Sequence, residues 1–478
     1  MKAPALAGVF VLYAYFRAME ISGNKFYRLL VKIGRYRTRY TSHRNFLIIL
    51  SFIVGVLAAL AAVLLKVSVQ FFEHRVELMN NWMDSNWLSA ILPMIGTGIS
   101  LLLLTRFFRN RLSRGVGFII HNIVTNKGRI DKRHTYGHIL TSALTVGFGG
   151  SVGLEAPIVA TGAAIGSNTG RDLRLSAKDT VLLLACGTAS GIAAVFNSPF
   201  AGIIFVLEIF LLDFSIPFFI PLLISTATAT VVSQLIYPGK FIFVASESWN
   251  VPAIPFYVLL GVFCGLVSVY ITWQVDFIEG YFEKRSMNWK RWLIAGIPLC
   301  VIIFLLPGLY GEGYSTITSL LKGDYASITA HSLLQSYSQY SWAIILMTVL
   351  LVVFKVVCAC LTISAGGNGG VFAPSMITGG LSGFLFAYLV NLSGIYQLNT
   401  PNFIITAMAG VLAGVMHAPL TAIFLMAEIS GGYKLFIPLM IVTAISYFIT
   451  PKYVKHSVYH KSLVERKILT DTSEHDHF

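Results

Sequence analysis

The sequence predicts an all-α polytopic membrane protein with two inverted repeats of short, tilted and partly non-spanning helices. Composition is the first reason: 56% of the 478 residues are hydrophobic and 12% are charged, which is too little polar surface for a soluble domain of this length. The second reason is an internal repeat, because the glycine-rich stretches Gly149–Pro157 and Gly366–Pro374 share one pattern 217 residues apart. Paired halves with glycine-broken helices at matching positions favour a transport site between the repeats.

The repeat extends beyond the glycine-rich stretches and sets the predicted domain boundaries. Phe196–Ile209 matches Met416–Ile429, which lies 220 residues further along the chain. We therefore predict a transmembrane repeat 1 over residues 45–240 and a transmembrane repeat 2 over residues 255–450.

Both ends of the chain are basic. Residues 21–40 mix large apolar side chains with many cations, which is typical of an amphipathic helix at an anionic membrane surface. Residues 1–20 fit a signal anchor, a surface helix or a misassigned start. We predict an N-terminal segment, 1–44, that holds the cytoplasmic helix, and a C-terminal segment, 451–478, with Tyr459, a short tail and no large cytoplasmic domain.

The net charge of +14 does not indicate a nucleic-acid partner. The cations cluster beside apolar runs, for example in residues 106–114 and 127–133, as in loops held on the cytoplasmic side of a membrane. We expect a multi-pass membrane protein with both termini in the cytoplasm. The five cysteines lie in apolar surroundings without a Cys-x-x-Cys pair, so we interpret them as core residues and expect neither a metal nor a cofactor.

Predicted helices become shorter along the first repeat. Asn45–Lys66 and Trp87–Leu104 are long enough to cross a bilayer, which takes ~20 residues. Four shorter segments separated by glycines follow: 115–125, 138–148, 158–170 and 180–195. Helices that end inside a membrane need protein or a water-filled cavity around their ends. The second repeat has a polar stretch, 310–340, and these predicted helices: 257–273, 292–306, 343–363, 376–390, 403–416, 423–428 and 436–449.

The stretch Gly149–Pro157 has the chemistry of an anion site. Pro157 marks the first turn of a helix after a flexible approach. A helix N-terminus carries unpaired N–H groups and about half a positive charge. Glu155 lies where an anion would bind. An isolated glutamate at such a position is more often a cap, but this stretch is repeated, with Phe372 at the position of Glu155.

Gly153-Leu154-Glu155-Ala156-Pro157 resembles the glutamate loop of the CLC family of chloride channels and proton-coupled anion exchangers. That loop usually reads Gly-(Lys/Arg)-Glu-Gly-Pro, so here the cation and one glycine are replaced. Gly370–Pro374 matches the family's second loop, Gly-x-Phe-x-Pro, in full, and Tyr459 matches its late tyrosine. The resemblance covers residues 45–465.

The resemblance implies transmembrane chloride transport in which Glu155 is the external gate and accepts a proton. The implied anion-binding residues come from three stretches: Val116, Gly117 and Phe118; Gly153 and Leu154; and Val371, Phe372 and Tyr459. Val116 replaces the family's serine hydroxyl, so we expect weaker discrimination among anions. Ile209 occupies the inner proton-relay position, which is an acid in many exchangers. The implied partners are chloride or a similar small anion, protons, membrane lipid and a second copy in a homodimer.

Two transport mechanisms remain open from the sequence. We favour proton-coupled exchange, and the alternative is a passive, pH-gated chloride channel, which would also keep Glu155. A remote alternative is an intramembrane enzyme that uses His417, Ser151 or Ser364, but no nucleophile has a visible base, so we predict no enzyme. A scaffold or receptor would leave the repeated loops unexplained. Glu208 and Glu428 end matching apolar helices, and we interpret them as structural.

Overall fold

A computed structural model describes residues 42–83, 86–210, 216–238 and 248–461. The predictions for residues 1–20 and 21–40 lie outside these residues, as does the end of the C-terminal segment. The described part of the chain contains no β-strand. Its α-helices are α1 (His43–Met83), α2 (Asn86–Leu102), α3 (Gly117–Thr125), α4 (His134–Gly147), α5 (Glu155–Asp172), α6 (Ala177–Phe196), α7 (Pro199–Ile209), α8 (Ile216–Ile236), α9 (Ile254–Glu283), α10 (Trp289–Leu305), α11 (Tyr314–Leu321), α12 (Ser341–Ser364), α13 (Phe372–Ser393), α14 (Thr400–Met416), α15 (Pro419–Ile429) and α16 (Phe436–Tyr453).

Eight helical segments of the described residues are long and apolar enough to cross a membrane. They are His43–Val76, Trp87–Phe107, Ala177–Phe196, Phe218–Ile236, Val251–Glu283, Ser341–Ser364, Phe372–Ser393 and Tyr433–Tyr453. Three further apolar helices are shorter, namely α7, α14 and α15. The mixture of spanning and short helices confirms the predicted all-α polytopic fold.

The chain divides into two compact units whose segments alternate along the sequence. Unit 1 contains the described residues of Met1–Phe72, Leu112–Ala143 and Pro157–Gly239. Unit 2 contains those of Glu73–Arg111, Leu144–Ala156 and Lys240–Phe478. The repeat boundaries at 45–240 and 255–450 stay a prediction.

Unit 1 is built around a close approach of α5 and α6. A Cβ added at Gly162 would lie 2.1 Å from the carbonyl oxygen of Gly187, and one added at Gly187 would lie 2.0 Å from that of Gly162. Only glycine permits this backbone contact. The buried ammonium of Lys66 donates to the carbonyls of Ala194 and Val195 at the end of α6, where a helix exposes partial negative charge.

Unit 2 is built around α13 and α14, which also approach through glycines. A Cβ added at Gly383 would lie 2.3 Å from the carbonyl oxygen of Phe403. The Phe403 ring stacks on Tyr257 of α9, with the two centroids 4.4 Å apart. This buried helix pair positions the start of α13, at Phe372.

Candidate functional site

The two glycine-rich loops meet in unit 2. The N–H of Gly153 donates to the carbonyl of Gly370 at 3.0 Å, and the N–H of Gly370 donates to the carbonyl of Gly153 at 3.1 Å. The two glycines occupy equivalent positions in the repeated pattern. Reciprocal pairing of equivalent residues is what a local two-fold axis produces, so the loops face each other symmetrically.

Each loop turns at a glycine with positive φ. The φ angles are +86° at Gly149 and +105° at Gly366, a backbone region that side chains with a Cβ rarely adopt. The next glycine in each loop then donates its N–H to a threonine carbonyl five residues earlier, Gly150 to Thr145 at 2.9 Å and Gly367 to Thr362 at 3.0 Å. These turns direct both chains into helix N-termini.

Glu155 begins α5 and lies at the centre of this arrangement. Glu155 is 3% exposed. Its Oε1 accepts a hydrogen bond of 2.9 Å from the Tyr314 hydroxyl. Its Oε2 has no hydrogen bond of normal geometry among the described residues, although the N–H groups of Glu155 and Ala373 face the carboxylate. The carboxylate therefore lies at the N-terminal ends of α5 and α13.

Glycine at residue 153 makes room for that carboxylate. A Cβ added to Gly153 would lie 1.9 Å from Oε2 of Glu155, so no larger residue fits while the carboxylate keeps its position. Val371 and Phe372, at the start of α13, are buried with exposed fractions of 4% and 2%. The next residue, Ala373, presents its N–H to the Glu155 carboxylate, and the predicted roles of Val371 and Phe372 toward an anion stay predictions.

Tyr459 belongs to the same cluster although it follows the last spanning helix. It is 7% exposed. Burial raises its pKa above the usual value, and the charge of Glu155 raises this pKa further. Charges act on one another over several ångströms inside a protein, so Tyr459 lies within electrostatic range of Glu155.

The structure adds a second acid that the sequence interpretation missed. Oε1 of Glu312 accepts a hydrogen bond of 3.2 Å from the backbone N–H of Leu154, the residue next to Glu155. Gly311-Glu312-Gly313 lies at the start of the polar stretch 310–340. A lone acid between two glycines was the available signal.

A buried lysine also contacts this cluster. Nζ of Lys355, on α12, donates to Oγ of Ser151 at 3.0 Å and to the carbonyl of Gly311 at 2.8 Å. The residue is 1% exposed. Lys355 is the one cation in the 24-residue helix α12, and an isolated intramembrane cation indicates a functional or strongly paired site. Ser151, a remote candidate nucleophile, is here an acceptor for Lys355.

The remaining predicted residues belong to unit 1. Val116 is the N-cap of α3, makes no side-chain capping bond and is 1% exposed. Gly117 begins α3, and the Phe118 ring stacks on His134 at a centroid distance of 4.8 Å. Ile209 ends α7 and is 1% exposed. Their roles toward an anion or a proton stay predictions.

Sequence comparison places this helical architecture in a known family. The family model described as voltage gated chloride channel matches residues 96–451. The chain belongs to this family. The resemblance carried by the two loops and Tyr459 is thereby confirmed at the level of the family.

Individual relatives and solved structures agree with this assignment. The chain is 28% identical to the H(+)/Cl(-) exchange transporter ClcA of Vibrio cholerae, over 82% of this chain and 83% of that protein. It is 25% identical to a putative chloride channel protein, ClcB-like, of Ralstonia nicotianae, over 80% of this chain and 86% of the relative. The fold is similar to that of a slow cyanobacterial Cl-/H+ antiporter, with a TM-score of 0.72, 19% identity and coverage of 90% of this chain and 99% of the other. A CLC-type fluoride/proton antiporter gives a TM-score of 0.70 at 24% identity, over 88% of this chain and 98% of the other.

Proposed function

We propose that the protein exchanges chloride or a similar small anion for protons across a membrane, with Glu155 as gate and proton acceptor. One observation carries this proposal. The buried Glu155 carboxylate lies where the N–H groups at the starts of α5 and α13 face an anionic group. The Tyr314 hydroxyl donates a hydrogen bond to the same carboxylate, and Tyr459 lies within electrostatic range of it.

The chemistry of this position couples an anion to a proton. An anion that leaves water must replace its hydration with fixed donors, and helix N-termini supply such donors without a full positive charge. The ionised Glu155 carboxylate occupies those donors and competes with a transported anion. Protonation removes the carboxylate charge and weakens its attraction to these donors. The neutral side chain can then move away, and the donors can bind the anion.

The similar relatives support exchange, whereas Ile209 is the residue that would suit a passive channel. The ClcA relatives are described as H(+)/Cl(-) exchange transporters over more than four fifths of this chain. Ile209, at the inner relay position, is apolar and buried, so an inner proton route must use water or another residue. A passive, pH-gated channel would need no such route.

A flux assay on protein in liposomes tests the proposal. An imposed chloride gradient, with the membrane voltage set by an ionophore, should drive protons uphill through the wild type. Glu155→Gln keeps the size of the side chain and removes its titration, so we expect proton movement to fall about a hundredfold while chloride flux continues. Glu428→Gln is the matched control, because Glu428 is a half-buried acid at the end of α15, and it should leave both fluxes unchanged.

One outcome would reverse the assignment. Chloride flux without accompanying protons in the wild type contradicts exchange and leaves the passive channel. Loss of proton movement in Glu428→Gln to the same extent as in Glu155→Gln would contradict a special role for Glu155.

The proposal also covers the membrane in which the protein lies and its oligomeric state. The eight candidate spans and the family support a multi-pass membrane protein. We infer further a homodimer in a bacterial plasma membrane, with both termini in the cytoplasm and one complete pathway in each subunit. Light scattering in detergent measures the subunit number, and a monomeric mass would contradict the dimer without affecting the pathway.

A further inference from the structure

Residues 311–314 are fixed beside the Glu155 loop by several contacts. The N–H of Gly311 donates to the carbonyl of Gly149 at 2.9 Å, and Lys355 donates to the carbonyl of Gly311. Two side chains then reach the loop, Glu312 at the N–H of Leu154 and Tyr314 at Oε1 of Glu155. The Glu312 carboxylate is thereby held at Leu154, the residue next to Glu155.

The three acids of this region differ in exposure. Glu73 is exposed, Glu312 is partly exposed and Glu155 is 3% exposed. Glu312 is therefore the acid that combines partial exposure with a hydrogen bond to the Glu155 loop.

The charges that face Glu312 favour its protonated form. Burial raises the pKa of Glu312 well above its usual value, and the negative charges of Glu155 and Glu73 raise it further. The Leu154 N–H and the ammonium of Lys355 act in the opposite direction. The charges of Glu155 and Glu312 both act on the Tyr314 hydroxyl, which is the neighbouring phenol. Like charges close together disfavour simultaneous ionisation, so protons on the two carboxyl groups are coupled.

A purely structural role does not require an acid at residue 312. The carbonyl of a glutamine side chain would accept the same hydrogen bond from the Leu154 N–H. Both the protonated carboxyl and the amide are neutral, but only the carboxyl can bind and release a proton. An acid at this position therefore supplies a proton-binding group that the hydrogen bond to Leu154 does not need.

We propose that Glu312 is a second proton-binding residue, which takes protons from solution and passes them to Glu155. This inference rests on the proposed exchange function. A proton from solution binds the Glu312 carboxylate, and the resulting carboxyl gives that proton to the Glu155 carboxylate, directly or through one water. Glu312 returns to its ionised form, and Glu155 becomes the neutral, mobile gate.

The liposome assay with Glu312→Gln tests this role. The glutamine keeps the hydrogen bond from Leu154 but binds no proton, so proton movement should fall about tenfold while chloride flux stays within about twofold of wild type. Glu312→Asp restores a carboxyl group and should return the proton-to-chloride ratio toward the wild-type value. Glu428→Gln serves again as the matched control.

The possible results separate this inference from the proposed function. A wild-type proton flux in Glu312→Gln would overturn the inference and leave exchange through Glu155 intact. Parallel loss of chloride and proton flux in both Glu312→Gln and Glu312→Asp would show a structural residue and also overturn it. Absence of proton movement in the wild type would overturn both.

Discussion

Gly153 and Gly370 hold equivalent positions in the two glycine-rich loops, and each donates its backbone N–H to the other's carbonyl. The helices that follow begin at Glu155 and Phe372, which are again equivalent positions. The backbone is thus duplicated, whereas the carboxylate occurs in the first loop alone. The difference indicates that donors for an anion can come from both loops, while the carboxylate proposed as the gate comes from the first loop.

The surroundings of the loops differ in the same sense. The second loop is held by a hydrogen bond between uncharged groups, from the N–H of Asn368 to Oγ1 of Thr145 at 3.0 Å. The first is held by the ammonium of Lys355 on Ser151 and is flanked by the carboxylate of Glu312. Ionisable side chains therefore gather around the loop that contains Glu155.

The largest expected effect comes from the turns themselves. Gly149→Ala would place a Cβ 2.0 Å from the Tyr310 ring, at a φ of +86°. Positive φ costs a residue with a Cβ about 1–2 kcal/mol, and the overlap adds about 1–3 kcal/mol. Gly366→Ala meets Leu101 at 2.8 Å and should destabilise less. Thermal unfolding in detergent measures both, and equal transition temperatures for Gly149→Ala and the wild type would contradict the described turn.

The next effect separates the loops by function. Gly153→Ala places a Cβ on Oε2 of Glu155 and should displace the carboxylate from the helix N-termini, so we expect faster chloride flux and a lower proton-to-chloride ratio. Gly370→Ala meets Cβ of Ala156 at 2.8 Å and leaves the carboxylate in place. Its ratio should stay near the wild-type value. A ratio that falls equally in both variants would show that the loops are functionally equivalent.

The smallest expected effect concerns the hydroxyl on Glu155. Tyr314→Phe removes a hydrogen bond of 2.9 Å to Oε1, and such a bond favours the ionised carboxylate. Its loss, at about 1.5 kcal/mol, should move the pH midpoint of chloride flux upward by about one unit. An unchanged pH midpoint in Tyr314→Phe would contradict the arrangement around Glu155.

Particular residues show how far the sequence leads. Glu155 and Phe372 were predicted from an offset and a helix-start pattern, and the structure places both at the starts of helices. Helix lengths were predicted less well, because α1 runs from His43 to Met83 and extends well past the predicted end at Lys66. Apolar periodicity detects a span, but the polar continuation of a helix gives no such signal.

The sequence by itself determined the membrane environment, the helical class, the two matching loops and the one acid that the first loop carries and the second lacks. Composition and repeated local patterns are enough to recognise these features, since none of them depends on a contact between distant residues. Only the tertiary structure decided that Glu312, Tyr314 and Lys355 surround that acid. These residues lie between 158 and 204 positions away from their contacts at Leu154, Glu155 and Ser151. No local pattern encodes such a contact, since it depends on which helices pack together and on the turn that brings residues 311–314 beside the loop.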